Sequence, residues 1–121
     1  EHYTVKVQTT KKQMEVRQGS HYELQINAGN LKKGQSKVVT ISVNPKELEI
    51  KNASSFAEED DLKEGVEGVT LLKYQPKKGV LVWKLTGSLE RGESCETYQS
   101  IPVEAKKDGK TEIAYTMTEQ S

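Results

Sequence analysis

Apolar residues along this chain recur with a period of two, and a helical period of 3.6 is almost absent. Tyr3, Val5 and Val7 alternate with Thr4, Lys6 and Gln8, and Tyr22, Leu24 and Ile26 alternate with Glu23, Gln25 and Asn27. Val39, Ile41 and Val43 follow, with Thr40 and Ser42 between them. Alternation of this kind turns one set of side chains to a core and the other to solvent, the pattern of a half-buried strand. The third of these strands should stop at Asn44-Pro45, because proline brings no N–H to a ladder. Further strands are predicted at Leu48–Ile50, Val69–Leu71, Val80–Leu85, Ile101–Ala105 and Ile113–Met117, with a weaker candidate at Met14–Val16. Val, Ile and Thr are abundant, and their branched Cβ favours an extended backbone over a helix in short apolar runs.

Turn signals separate these runs at intervals of about ten residues. They are Gly29-Asn30, Lys33-Gly34, Asn44-Pro45, Pro76 to Gly79, Arg91-Gly92 and Lys107 to Lys110. Eight or nine short strands with such punctuation predict an all-β fold, an antiparallel β-sandwich. One segment departs from the pattern. Ser55 followed by Glu58 forms a capping box, Glu59, Asp60 and Asp61 fill the first turns, and Gly65 can close the element. One short helix is therefore expected near 55–64.

Length and charge narrow the functional classes. At 121 residues the chain suits one domain, 1–121, with a single core. Its 18 Lys+Arg are matched by 18 Asp+Glu, so the net charge is zero and a nucleic-acid partner is not expected. No apolar run approaches the ~18 residues of a membrane span. The single Cys95 cannot form a bridge within the chain, and its acidic neighbours Glu93 and Glu96 do not favour a thiolate. The chain opens at Glu1-His2-Tyr3 without a signal peptide, consistent with a leader already removed.

Catalytic chemistry finds no foothold in the residues. There is no H-E-x-x-H, no G-x-S-x-G, no phosphate-binding glycine loop and no Cys/His cluster, so no enzyme and no cofactor is expected. Ser20 and His21 are adjacent, but neighbours on a strand point to opposite faces and cannot act as nucleophile and base. Glu58, Asp60 and Asp61 are weak calcium candidates, since they offer oxygen ligands without the spacing of a calcium loop. A saccharide would stack on exposed aromatic side chains. By alternation Trp83, Tyr22 and Tyr115 face inward, leaving Tyr74 and Tyr98 as candidate ligand-binding residues. The lysine pairs Lys32-Lys33, Lys77-Lys78 and Lys106-Lys107 all fall at predicted loops, where they keep turns solvated. Asn52-Ala53-Ser54 fits a glycosylation sequon by composition alone.

Several of these segments together resemble the cohesin-like modules. Tyr22 to Ile26 with Asn30-Leu31, and then Val39 to Ile50, follow the opening of that family, which has a strand of the form "ITYDPxxLEV" at this point. Tyr74 to Leu85, Ile101 to Ala105, and Gly109, Thr111, Ile113, Tyr115 and Thr116 continue the likeness over about residues 20–118. It is nearest to the cohesin-like domain of YD-repeat (RHS-type) wall-associated proteins of Gram-positive bacteria. The chain departs from the pattern in carrying Asn44 where an acid commonly precedes the proline, and in its acidic insert at 58–61. The resemblance implies a jelly-roll or Ig-like β-sandwich of the cohesin and carbohydrate-binding-module type, exported to the cell surface. It would be a non-enzymatic, monomeric recognition or adhesion module of a larger bacterial surface or secreted protein. Its ligand would be a protein or carbohydrate met on a sheet face or loops. The alternatives are a carbohydrate-binding module and a purely structural Ig-like spacer, the latter with an internal Lys–Asn isopeptide cross-link of the kind some surface domains hold.

Overall fold

A computed structural model describes residues 5–51 and 65–120, with side chains over 10–51 and 65–119. Every regular element among the described residues is a strand: β1 (Val5–Val16), β2 (His21–Gly29), β3 (Ser36–Val43), β4 (Leu48–Ile50), β5 (Val66–Gln75), β6 (Val80–Gly87), β7 (Thr97–Ala105) and β8 (Gly109–Gln120). They form two sheets, one of five strands in the order β1-β8-β3-β6-β5 and one of three in the order β2-β7-β4. All six ladders are antiparallel. The expected antiparallel β-sandwich is thus present, at eight strands. The helix expected near 55–64 lies outside the described residues.

Period-two burial is what joins the two layers. On β6, Leu81, Trp83 and Leu85 are fully buried while Val80, Val82 and Lys84 between them are half-buried on the other face. The same alternation holds for Val39, Ile41 and Val43 on β3, and for Ile101, Val103 and Ala105 on β7. These inner faces make one apolar cluster with Ile26, Leu48, Ile50 and Ile113, against which Met14, Tyr22, Leu24, Tyr115 and Met117 pack. Trp83 sits at its centre with no exposed surface, as its place between Leu81 and Leu85 predicts.

The two margins of the sandwich close differently, because three strands cannot cover five. On the β4–β5 side, Tyr74 lies on the inner face of β5, opposite Leu81, and its phenol donates to the carbonyl of Ile50 at 3.1 Å. On the β1–β2 side, a recess of about 240 Å³ remains between the sheets, lined by Met14, Leu24, Ile113 and Tyr115 among others. At one end, Leu31 folds into the core, and its carbonyl accepts from Leu89 N at 3.2 Å, so the β2–β3 connection seals that end.

Candidate functional site

The two outer faces of the sandwich have opposite characters. On the three-stranded sheet the outward positions carry His21, Glu23, Gln25 and Asn27 from β2, Tyr98, Ser100 and Glu104 from β7, and Glu49 from β4. Polar contacts run across it as a chain: His21 Nε2 lies 3.5 Å from Glu104, Lys51 Nζ 3.4 Å from Glu104 and 3.3 Å from Glu49. The hydrogen bond to Glu49, with Glu104 adding to it, holds the Lys51 ammonium above its ordinary range. This face is polar, and its acids Glu23, Glu49 and Glu104 outnumber Lys51.

The five-stranded sheet presents a different surface. Its outward rows, read across β8, β3 and β6, are Thr118, Val38 and Lys84, then Thr116, Thr40 and Val82, then Ala114, Ser42 and Val80. One residue of the nine is charged. All nine are half-buried, and all but Lys84 are short or branched side chains flanked by neighbours of similar height. The strand spacing makes this field about 10 by 14 Å between its outermost Cα positions. Alternation identified these positions as outward; the signal that distinguishes them is that Thr, Val, Ser and Ala fill them where a solvated face would carry Lys and Glu.

Tyr74 and Tyr98 lie on different sheets and do not share a platform. Tyr98 is 47% exposed on the middle strand of the three-stranded sheet, where its hydroxyl donates to Glu96 Oε2 at 2.9 Å. That bond to a carboxylate holds the Tyr98 phenol above its ordinary range. Tyr74 is 37% exposed, with its hydroxyl turned to β4 as described. Glu58, Asp60 and Asp61 lie outside the described residues. Among the described residues no group of three or more His, Cys, Asp or Glu is placed to hold a metal ion. Nor is any helix there long and apolar enough to cross a membrane.

Other polar groups are engaged in holding the loops. A cleft of about 680 Å³ lies beside Glu15, Arg17, Tyr22 and Asp108, but Asp108 Oδ1 accepts from Gln18 N at 2.8 Å and the Tyr22 hydroxyl from Arg17 N at 3.0 Å. Both groups pin the connection from β1 to β2. Glu47 accepts from Thr111 Oγ1 at 2.8 Å and pairs with Lys107. The Lys107 contact first, and Thr111 second, keep its carboxyl below the ordinary range. Asn27, Asn30 and Asn44 each accept from backbone N–H groups, of Gly29, Cys95 and Lys46 respectively. Among the described residues no lysine ammonium is hydrogen-bonded to these three carboxamides, the arrangement that precedes an isopeptide bond. No family model, no curated protein and no solved structure matches the chain.

Proposed function

We propose that this chain is a non-enzymatic recognition module of a larger bacterial surface or secreted protein, and that it meets its partner through the outer face of the five-stranded sheet. The observation that carries the reading is the field of Thr116, Thr40 and Val82 with its neighbours on β8, β3 and β6, half-buried and with Lys84 as its one charge. A surface of this kind loses little side-chain entropy on contact, since Thr and Val have one restricted torsion, and it gains from releasing water over apolar methyl groups. The likeness to cohesin-like modules supports the same role and the same extracellular address. A saccharide-binding reading would need a platform, and Tyr74 and Tyr98 stand on separate sheets.

The test is a screen of the purified chain against a panel of extracellular proteins and a glycan array, repeated with Thr40→Glu/Val82→Glu. Protein binding lost in that variant and retained in Tyr98→Ala supports the sheet face. Glycan binding lost in Tyr98→Ala and retained in the face variant overturns it in favour of a carbohydrate-binding module.

A further inference from the structure

Two of the three lysine pairs, distant in sequence, arrive at the same end of the sandwich. The β3–β4 connection (44–47), the β5–β6 turn (76–79) and the β7–β8 connection (106–108) converge there around a cleft of about 400 Å³ lined by Pro45, Lys46, Glu49, Pro76, Lys77 and Lys106. Backbone bonds fix the three loops to one another. Val43 N donates to Gly79 O at 2.8 Å, and Lys106 N donates to Glu47 O at 2.8 Å. Gly79 has φ +69°, and a Cβ there would stand 2.1 Å from the Val43 carbonyl oxygen, so glycine is what lets the Lys77 turn close on the end of β3.

The acids at this end are outnumbered. Glu47 is held by Lys107 and Thr111, Glu49 at the cleft wall shares Lys51 with Glu104, and Asp108 accepts from Gln18 N, so four acids stand against Lys46, Lys51, Lys77, Lys78, Lys106 and Lys107. Among the described residues the ion pairs leave Lys46, Lys77 and Lys106 without an acidic partner. The third lysine pair shows the contrast. At the opposite end, Lys33 pairs with Glu90 at 3.4 Å and Lys32 donates to the carbonyl of Glu93. A protein of zero net charge therefore carries a local excess of positive charge, distributed over three fixed loops around one concavity.

From this we infer that the lysine-lined end binds a linear phosphate-bearing polyanion. Several ammonium groups around one cleft are satisfied together by a ligand with repeated negative charge, and each phosphate that displaces counterions adds to affinity. The choice of phosphate rests on charge spacing. Lysine ammonium groups are point charges that need no planar match, and a closely charged phosphate chain carries condensed counterions whose release drives its binding. This end shares no residue with the sheet face, so the inference stands or falls independently of the recognition reading above.

The probe is short-chain inorganic polyphosphate, titrated into the purified chain by calorimetry at two salt concentrations. Neutralising three phosphates predicts a slope of about −2 in log K against log salt, roughly 20-fold weaker binding at 200 mM than at 50 mM. Lys46→Gln/Lys77→Gln/Lys106→Gln should abolish binding at the higher salt, while Lys32→Gln/Lys33→Gln leaves it unchanged. Lys77→Gln alone should flatten the slope by about 0.7, a readout that holds even if the triple variant folds poorly. The inference is overturned by absence of binding at low salt, by equal loss in the Lys32/Lys33 variant, or by poly-L-glutamate binding as tightly.

Discussion

Gly87 offers the sharpest test of how the sandwich is closed. It ends β6 opposite Val66, its N–H donates to Gln35 O at 3.0 Å, and the backbone of the β2–β3 connection crosses directly over it. A Cβ at this position would lie 2.4 Å from the Lys32 carbonyl oxygen and 2.6 Å from both C and O of Leu31. These are backbone atoms, so no side-chain rotation relieves the contact. Gly87→Ala must push the connection outward by about an ångström, and with it Leu31, which is fully buried. Overpacking of this kind costs about 1–3 kcal/mol, and loosening a buried leucine adds to it. At about 4 °C per kcal/mol for a domain of this size, a 2–3 kcal/mol loss lowers the melting temperature by about 8–12 °C. Gly68 is the internal control, since it pairs with Thr86 one position away, and a Cβ there meets nothing within 4 Å. Gly68→Ala should leave stability unchanged or raise it by up to about 1 kcal/mol, because alanine suits an extended strand better than glycine. Differential scanning calorimetry of the two variants decides the matter. Equal melting temperatures for Gly87→Ala and Gly68→Ala would refute the claim that the connection rests on Gly87.

Two further predictions address the polar contacts. Glu47 has its carboxyl pKa lowered from the ordinary 4.5 by Lys107 and Thr111, so its contribution to stability is complete above that value and is lost as pH falls through the lower folded-state value. The melting-temperature gap between the parent chain and Glu47→Gln should therefore be constant near neutrality and shrink on acidification; a gap independent of pH would show that the pair contributes nothing. Tyr74→Phe removes the hydrogen bond to Ile50 O that ties β5 to β4 and should cost about 0.5–1.5 kcal/mol in urea denaturation. Tyr98→Phe, which loses only a surface bond to Glu96, should unfold with the parent, and the reverse ranking would contradict the assigned positions.

The architecture was legible because burial on one face imposes a period of two, which β6 obeys throughout and β3 from Val38 onward. Legibility fails where that condition fails. β1 runs unbroken over Val5–Val16, although its middle, Thr9 to Gln13, shows no alternation and separates what the pattern presents as two strands. It is the edge strand of the five-stranded sheet, and among its described side chains Met14 and Val16 are the ones that meet the core, so its middle is not forced to alternate. β5 carries register shifts at Val66/Gly68 and Leu71/Lys73, and the second of these leaves Leu72 exposed, a residue that a simple count of apolar positions would bury. The sheet-face residues were visible as outward positions, but their joint character emerges only when β8, β3 and β6 are set side by side. The lysine-lined end was illegible for the same reason: Lys46, Lys77 and Lys106 are separated by about thirty residues each, and only the topology brings their loops to one place.

The ladder between β1 and β8 carries a mechanical consequence. Its first pair is Val5 with Gln120 and its last is Val16 with Gly109, so the two ends of the fold leave side by side at one extremity of a single antiparallel pair. Tension applied between them loads that extremity alone. The hydrogen bonds then break in succession, like the teeth of a zipper, instead of sharing the load as they would in shear. β1 is also the outermost strand and can peel away while β8 stays paired with β3. Detaching Val5 to Gln13 would release about 30 Å of slack before Met14 and Val16, which pack in the core, carry any strain. A tether built this way yields early and gently, then stiffens.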